Sequence, residues 1–182
     1  MTRAAAIVCE TERLLIRHLT LHDAAFIVRL LNEPSFLRFI GDRGVRTEED
    51  AVKYLKTGPL DSYRRHGFGL FAVARREDGH PLGICGLLKR EALDDVDIGF
   101  AFERAHWGRG YALEASTAIM DLGFRTLGLP RIVAITAVDN DASMRLLHKL
   151  GFGFLRRVQL SQGGEELNLF LARSPMTPAT AV

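Results

Sequence analysis

The sequence predicts a mixed α/β fold, in which about seven mostly antiparallel strands form one sheet with helices on both faces. Three observations predict this class. Short apolar runs follow one another closely between residues 68 and 102, which is typical of an antiparallel meander. A strand-like run, a helix-like run and a second strand-like run then extend from Val96 to Val138, the order of a βαβ unit. With 182 residues, 47% of them hydrophobic, the chain has the size of one domain.

Composition excludes several other classes of protein. The formal net charge of +2 is too small to indicate a nucleic-acid or membrane-surface partner. No apolar run approaches the roughly 20 residues of a membrane span. The two cysteines, Cys9 and Cys85, are too few and too far apart for a disulfide framework or a metal site. We therefore expect a cytoplasmic domain without a metal, with its core at about residues 11–173 and a disordered tail at 174–182.

The part of the chain before the meander is predicted to be one strand followed by helices and loops. Residues 13–19 have the pattern of a strand, and residues 24–32 carry apolar side chains at helical spacing. A further helix is expected to begin at Thr47, where acidic residues follow, and to end at Gly58-Pro59. We expect the region from about 33 to 67 to be loop-rich. It is expected either to line a binding site or to form a plain helical lid over the core.

The remaining elements are predicted from apolar runs and from the turn and helix-end residues between them. Asp78-Gly79 is a hairpin signal between two of the meander strands. The run from Arg131 to Val138 is nearly all apolar, which is typical of a strand buried on both faces. Gly151 ends the helix that Asn140 begins. The predicted strands are 68–75, 82–89, 96–102, 131–138, 152–160 and 166–171, and the predicted long helix is 112–127.

A glycine-bearing turn, Trp107 to Ala112, joins the third meander strand to the long helix. Glycine lets the backbone approach a ligand closely, and the first helical turn offers unpaired N–H groups and a partial positive charge. No Ser, Thr, Asp or Asn lies between Glu103 and Leu113 to occupy those amides. The turn is therefore a candidate phosphate-binding site. The alternative is that Gly110 is simply the helix start and that water fills the remaining positions.

The glycine turn and Asn140 both follow strands that are predicted to be parallel neighbours. Strands in a βαβ unit lie side by side, so their carboxyl ends meet at one edge of the sheet. Open α/β sheets bind ligands at such a position. The sequence therefore predicts one binding cleft between the two strand ends.

The order and spacing of several segments resemble the GNAT superfamily of acyl-CoA-dependent N-acetyltransferases, from about Glu12 to Arg173. With the segment Thr11 to Arg17, they are similar to the subgroup that acetylates ribosomal protein N-termini. Trp107 stands where the superfamily loop usually has Gln or Arg, and Trp is common in this subgroup. The segments are Asp97-Ile98-Gly99-Phe100, Trp107-Gly108-Arg109-Gly110-Tyr111-Ala112-Leu113-Glu114-Ala115, Asn140-Asp141-Ala142-Ser143 and Lys149-Leu150-Gly151-Phe152.

The resemblance implies a GNAT-like fold and a set of residues that bind acetyl-CoA. Backbone N–H groups from Gly108 to Ala112 would hold the pyrophosphate, and the strand from Phe100 to Phe102 would pair with the pantetheine arm. Asn140 would bind that arm or orient neighbouring groups. The full set of residues implied in coenzyme binding is Phe100, Ala101, Phe102, Trp107, Gly108, Arg109, Gly110, Tyr111, Ala112, Asn140 and Ser143.

Two residues are candidates for catalysis by the same resemblance. Asp97 stands where many relatives carry a carboxylate base, and Ser143 where some carry a hydroxyl acid that serves the leaving thiolate. A carboxylate has an ordinary pKa of about 3.9, so it needs burial or a water chain to act near neutrality. In the alternative, Asp97 is a strand carboxylate without a catalytic part, and Ser143 is the third residue of a helix capped by Asn140.

The amine acceptor is expected to be a protein or peptide N-terminus. An α-amine with a pKa of about 8 is roughly 10% neutral at pH 7, whereas lysine at about 10.4 is below about 0.1%. A weak base therefore serves an α-amine more easily. The alternatives are a small-molecule acetyltransferase for amino acids, polyamines or amino sugars, and a catalytically silent acyl-CoA-binding domain. A homodimer through the final hairpin or a sheet edge is a further expectation, and no nucleic-acid or membrane partner is expected.

Overall fold

Eight strands and six helices form the protein in a computed structural model that describes residues 5–175. Short 3-10 turns precede the first helix and the glycine turn. The strands are β1 (Ile7–Glu10), β2 (Leu14–Arg17), β3 (Leu70–Arg75), β4 (Pro81–Leu88), β5 (Asp97–Phe102), β6 (Arg131–Ala137), β7 (Gly153–Val158) and β8 (Leu167–Arg173). The helices are α1 (Ala24–Leu31), α2 (Pro34–Phe39), α3 (Glu48–Thr57), α4 (Pro59–His66), α5 (Tyr111–Asp121) and α6 (Asp141–Lys149).

All eight strands belong to one sheet, in the order β1-β2-β3-β4-β5-β6-β8-β7. Every neighbouring pair is antiparallel except β5 and β6, which are parallel. The mixed, mostly antiparallel sheet is therefore confirmed, with one strand more than the seven predicted. The additional strand is β1, an edge strand that pairs with β2. The sequence pattern did not indicate β1, because a strand of four residues with one open edge carries little periodicity.

The two faces of the sheet are covered by different helices, as predicted. On one face, α5 buries Ala115, Ile119 and Met120 against alternate strand residues such as Phe71 and Cys85. On the other face, α1, α2 and α3 bury a second cluster against the intervening strand positions Ala72 and Ile84. Side chains of a strand alternate between faces, so one run of apolar residues supports both layers. The same alternation decides which of the two sheet faces each side chain of β5 occupies.

The β5–α5–β6 unit opens the sheet at its centre. The two parallel strands pair at one register position, Asp97 opposite Val133, where Val133 N donates to Val96 O at 3.0 Å. Beyond that position the strands diverge toward their carboxyl ends. The divergence leaves a gap between Phe100 and the end of β6, at the position where the sequence predicted a cleft between the two strand ends.

Two predicted regions differ from the observed structure. The region from 33 to 67 is mostly helical, since α2, α3 and α4 occupy it and only residues 40–47 form a connecting loop. Helix α1 ends at Leu31, just before Glu33-Pro34, and Pro34 then occupies the first turn of α2, a position where proline costs no hydrogen bond. The long helix also changes character: α5 gives way at Leu122 to a π-helical turn, Leu122–Thr126.

The chain ends of the described part are tied to the sheet. Ser174 N donates to Pro130 O at 2.9 Å, so the first residue of the predicted tail is held beside β6. The rest of that predicted tail, residues 176–182, lies outside the described residues. Between residues 5 and 175, no helix has the length and apolar character needed to cross a bilayer.

Candidate active site

A cleft of about 980 Å³ lies where β5 and β6 diverge. Its walls include every residue that the resemblance implied in binding or catalysis except Arg109. One side is the glycine turn, from Trp107 to Ala112, together with the start of α6. The opposite side is formed by α2, by Tyr54 of α3, and by Arg90 and Asp97. The predicted site residues are therefore brought together in one cavity.

The glycine turn leaves the first amides of α5 without a side-chain cap. Gly110 precedes the helix with φ 82° and Gly108 has φ 73°, left-handed conformations that favour glycine. The first backbone hydrogen bond of the helix runs from Glu114 N to Gly110 O at 3.0 Å. The N–H groups of Tyr111, Ala112 and Leu113 precede that bond and have no intrahelical acceptor. This arrangement can hold a phosphate or another anion.

A hydrogen-bonded brace fixes the glycine turn to the segment that directly precedes β2. Glu114 accepts Thr11 Oγ1 at 2.6 Å, Arg13 N at 2.9 Å and Arg13 Nε at 2.7 Å. The Arg13 guanidinium also donates to Arg109 O at 2.9 Å and lies 4.7 Å from the Tyr111 ring centroid. Burial raises the pKa of Glu114, but the bonds from Thr11 and Arg13 outweigh it and hold that pKa below its ordinary value. Arg109 therefore contributes its carbonyl to the brace.

The open edge of β5 offers backbone groups to the cleft. Glu103 N donates to Leu82 O of β4 at 3.0 Å. Successive residues of a strand point their backbone N–H and C=O groups to opposite sides, so those of Phe100 and Phe102 point away from β4 and toward the gap. Trp107 Nε1 donates to Phe102 O at 2.8 Å, which occupies that carbonyl. Trp107 therefore ties the end of β5 to the glycine turn. The backbone N–H and C=O groups of Phe100 remain available in the gap.

Asp97 lies fully buried at the start of β5, on the sheet face that α1 and α3 cover. Arg90 Nε donates to both carboxylate oxygens, at 3.0 and 3.1 Å. Burial raises the pKa of Asp97 above that of an ordinary carboxyl group, although the Arg90 guanidinium acts in the opposite direction. Burial likewise raises the pKa of Tyr54, with Arg43 and Arg90 opposing it. The buried carboxylate has the properties needed to accept a proton nearer neutrality than a free aspartate does.

Asn140 and Ser143 form the helix cap that was the alternative reading of this pair. Asn140 Oδ1 accepts Ser143 N at 3.1 Å. The bond uses the backbone amide of Ser143, so the Ser143 hydroxyl is not consumed by the cap. Both residues are half-buried and border the cleft. The cap and a role in the cleft are therefore compatible.

The tertiary structure brings two further residues to the cleft, which the sequence pattern did not indicate. Arg90 follows β4 and pairs with Asp97 across a hairpin connection. Thr136 of β6 places a buried Oγ1 that lacks a hydrogen-bond partner among the described residues, in the wall of the same cleft. A buried hydroxyl without a partner is costly, so it marks a position where a ligand would be stabilised. The unpaired threonine had no signal in the sequence, since Thr is common in strands.

Comparison with known proteins identifies a family. Residues 13–153 match the family described as an acetyltransferase (GNAT) domain. The chain is 30% identical over 160 residues to an uncharacterized N-acetyltransferase, YoaA of Bacillus subtilis (strain 168), covering 86% of this chain and 90% of that protein. It is 28% identical over 160 residues to an uncharacterized N-acetyltransferase, p20 of Bacillus licheniformis, covering 84% and 88%.

Solved structures show the same fold. A ribosomal-protein-S5-alanine acetyltransferase from Vibrio fischeri superposes with a TM-score of 0.75 at 19% identity, over 92% of this chain and 97% of that one. The family match covers the glycine turn, the βαβ unit and the candidate residues Asp97 and Ser143. This chain is therefore an acetyl-CoA-dependent N-acetyltransferase and belongs to the GNAT acetyltransferase family.

Proposed function

We propose that the protein transfers an acetyl group from acetyl-CoA directly to the α-amine of a protein or peptide N-terminus. The observation that carries the proposal is Asp97, a buried carboxylate with a raised pKa in the cleft beside the splayed strands. Such a base is matched to an α-amine, of which roughly 10% is neutral at pH 7. The likeness to a ribosomal-protein-S5-alanine acetyltransferase is in accord with an α-amine acceptor.

The glycine turn is the proposed seat of the coenzyme pyrophosphate. The amides of Tyr111 and Ala112 precede the first hydrogen bond of α5 and carry the positive end of the helix dipole. The pantetheine arm is proposed to pair with the free backbone groups of Phe100 in the gap between β5 and β6. Asn140 and the hydroxyls of Thr136 and Ser143 supply further polar contacts along that gap.

Acetyl transfer needs no covalent enzyme intermediate in this scheme. The neutral amine nitrogen attacks the thioester carbonyl carbon, and the C–S bond breaks as the amide forms. The amine loses its proton to Asp97, directly or through water, while the departing thiolate is protonated by Ser143 or solvent. Cys85 is not a candidate nucleophile, because burial raises the pKa of its thiol to about 12.

A second candidate acceptor is a small molecule that carries a carboxylate, such as an amino acid. Arginine side chains line the cleft, among them Arg38, Arg43 and Arg90. Arg38 and Arg90 already have carboxylate partners in Asp139 and Asp97, at 2.9 and 3.0 Å. Arg43 is exposed and forms no ion pair within the described residues. It is the cation available to an anionic acceptor.

The acceptor class is tested by release of free thiol from acetyl-CoA over a panel of amines. The panel contains peptides that begin with Ala or Ser, the same peptides with a blocked N-terminus and an internal lysine, amino acids, polyamines and an amino sugar. We expect thiol release with the free N-termini and none with the blocked peptides. Release with amino acids alone would replace the peptide acceptor by the small-molecule one, and silence across the panel would refute both.

A further inference from the structure

Three side chains with metal-binding atoms converge beside the entry to the glycine turn. They are His80, on the loop between β3 and β4, and Glu103 and His106, which flank the short 3-10 turn after β5. One ligand atom from each lies within 4.8 Å of the other two. His106 Nε2 is 3.6 Å from Glu103 Oε2, and the two side chains are only 12% and 13% exposed. We propose that His80, Glu103 and His106 form a Zn²⁺ site.

The cluster is held by the local backbone. His80 N donates to Asp78 Oδ1 at 3.0 Å, and His80 O accepts Arg75 N at 2.8 Å, so the loop that presents His80 is fixed. His106 N donates to Glu103 O at 2.9 Å, which sets the spacing of the other two ligands. His106 Nδ1 is buried without a hydrogen-bond partner among the described residues. The other ring nitrogen, Nε2, is the one that lies 3.6 Å from Glu103 Oε2, so His106 is expected to bind the ion through Nε2.

The donor set selects the metal. Two imidazoles and one carboxylate are typical protein ligands of Zn²⁺, with metal–ligand distances of roughly 2.0–2.2 Å. In a tetrahedral site such ligands lie about 3.4 Å apart, so ligand atoms that lie within 4.8 Å of one another must approach by up to about 1.4 Å. His80 is exposed and supplies that movement by side-chain rotation. Three protein ligands leave a fourth position for water.

Neighbouring cations oppose a divalent ion but do not exclude it. Arg29 Nε lies 3.3 Å from Glu103 Oε1, and its side chain is 54% exposed. Because the Arg29 end of this ion pair is exposed to solvent, the pair contributes little and Arg29 is readily displaced. Arg75 is paired with Asp78 at 2.9 Å, which offsets its charge near the cluster. Glu103 Oε2 is the oxygen that faces His106, so Arg29 and the metal use different carboxylate oxygens.

The position of the site links it to the glycine turn. His106 directly precedes Trp107, whose backbone N donates to Arg104 O at 3.1 Å and whose indole holds Phe102 O. Zinc bound to His80 and His106 would join the β3–β4 loop to the segment that enters the turn. Zinc binding to this cluster is independent of the amine acceptor, and calorimetry detects it without a measurement of activity.

The test is calorimetric titration of the tag-free, metal-free full chain with ZnCl₂. We expect one equivalent to bind, and we expect His80→Ala to weaken binding by at least about ten-fold, because loss even of an outer-shell partner costs that much. His80 is exposed on a loop, so this variant retains the fold. His66→Ala and Cys9→Ser remove other possible zinc ligands outside the cluster, and each is expected to leave the affinity unchanged.

Two results would overturn the site. One is the absence of binding heat at excess Zn²⁺, and the other is equal affinity in the wild type and in His80→Ala. The link to the turn has its own readout, the affinity for coenzyme A with and without Zn²⁺. We expect zinc to raise that affinity in the wild type and not in His80→Ala. Equal values with and without zinc would refute the link.

Discussion

The glycine-turn wall of the cleft, residues 107–112, consists of one continuous segment, whereas the opposite wall, here called the Asp97 wall, combines Asp97, Arg90, Tyr54 and α2 from distant parts of the chain. The first wall presents backbone N–H groups, and its conformation depends on glycine at positions with positive φ. The second wall presents side chains, and its properties depend on burial and on the Arg90–Asp97 pair. The first wall can therefore be recognised from a short stretch of sequence, whereas the second can be recognised only after the chain has folded.

The largest expected effect comes from Asp97→Asn in the Asp97 wall. Loss of a general base typically costs about 10²–10⁴-fold in rate, so we expect a decrease of that order in kcat with unchanged coenzyme affinity. Asp95→Asn is the matched control. Asp95 is two residues before Asp97 in the chain, pairs with Arg131 at 2.7 Å and lies outside the cleft walls. Unchanged turnover in Asp97→Asn would remove this residue from the mechanism. A variant and wild type that are both inactive with every amine would favour a silent coenzyme-binding domain.

The Arg90–Asp97 pair adds a pH dependence to the same wall. Arg90→Gln removes the cation that opposes the effect of burial, so the pKa of Asp97 should rise further. A base is active only when deprotonated, so activity falls as pH decreases through its pKa. We therefore expect the acidic limb of the kcat/KM profile to move to higher pH in Arg90→Gln. Arg125→Gln, which removes a surface pair with Asp121, should leave the profile in place.

The next largest effect is expected for Gly110→Val in the glycine-turn wall. Gly110 has φ +82°, and a Cβ there would lie 3.2 Å from Arg13 Nη2, so a side chain would disturb both the turn and its brace. Loss of one hydrogen bond to a charged ligand costs about 1.5–3 kcal/mol, or roughly ten- to hundred-fold in coenzyme affinity. Gly128→Val is the control, since Gly128 has a similar φ of +66° outside the cleft. Equal affinity by calorimetry in wild type and Gly110→Val would contradict the pyrophosphate seat.

A smaller effect is expected for the brace that supports the glycine turn. Glu114→Gln weakens the charged hydrogen bonds to Thr11 and Arg13, and we expect a loss of about 1–2 kcal/mol in the free energy of unfolding at pH 7. Because the folded-state pKa of Glu114 is lowered, its contribution is present above the ordinary value of about 4.3 and is lost as pH falls through the folded value. The difference between wild type and variant should therefore shrink in acid.

The control for the brace is Glu166→Gln, which removes the exposed pair with Arg157. Exposed pairs contribute about 0–1 kcal/mol, so that variant should unfold close to wild type in urea. A difference between wild type and Glu114→Gln that is independent of pH would show that the charge of Glu114 is not what stabilises the turn.

The smallest effect is expected for Ser143→Ala. A thiol has a pKa of about 8.5, so its thiolate leaves near neutrality without a strong acid, and we expect a decrease of about ten-fold or less in kcat. The substitution keeps the amide that Asn140 caps, so stability should not change. Asn140→Ala, in contrast, removes the cap and should cost about 1 kcal/mol. Equal loss of stability in the two variants would show that the Ser143 hydroxyl has a structural part.

The sequence alone determined much of the fold and one wall of the site. Strand patterns from residues 68 to 138 predicted the meander and the βαβ unit, because alternation and helical spacing are local properties. The open amides of the glycine turn were predictable from the absence of capping residues before Leu113. The helix predicted between Thr47 and Gly58 is present as α3. The short edge strand β1 and the short helix α2 were not recovered, since short elements owe their stability to packing against the sheet and to one another.

Only the tertiary structure decided the chemistry of the Asp97 wall. The sequence marked Asp97 as a carboxylate in a strand, but its burial and its contact with Arg90 depend on the register of β4 against β5. Folding also joins segments that are far apart in the chain, in the Thr11–Arg13–Glu114 brace and in the His80–Glu103–His106 cluster. It likewise buries the Thr136 hydroxyl without a partner among the described residues. Backbone conformation is dictated by neighbouring residues, whereas desolvation and ion pairing arise only after folding has brought distant groups together.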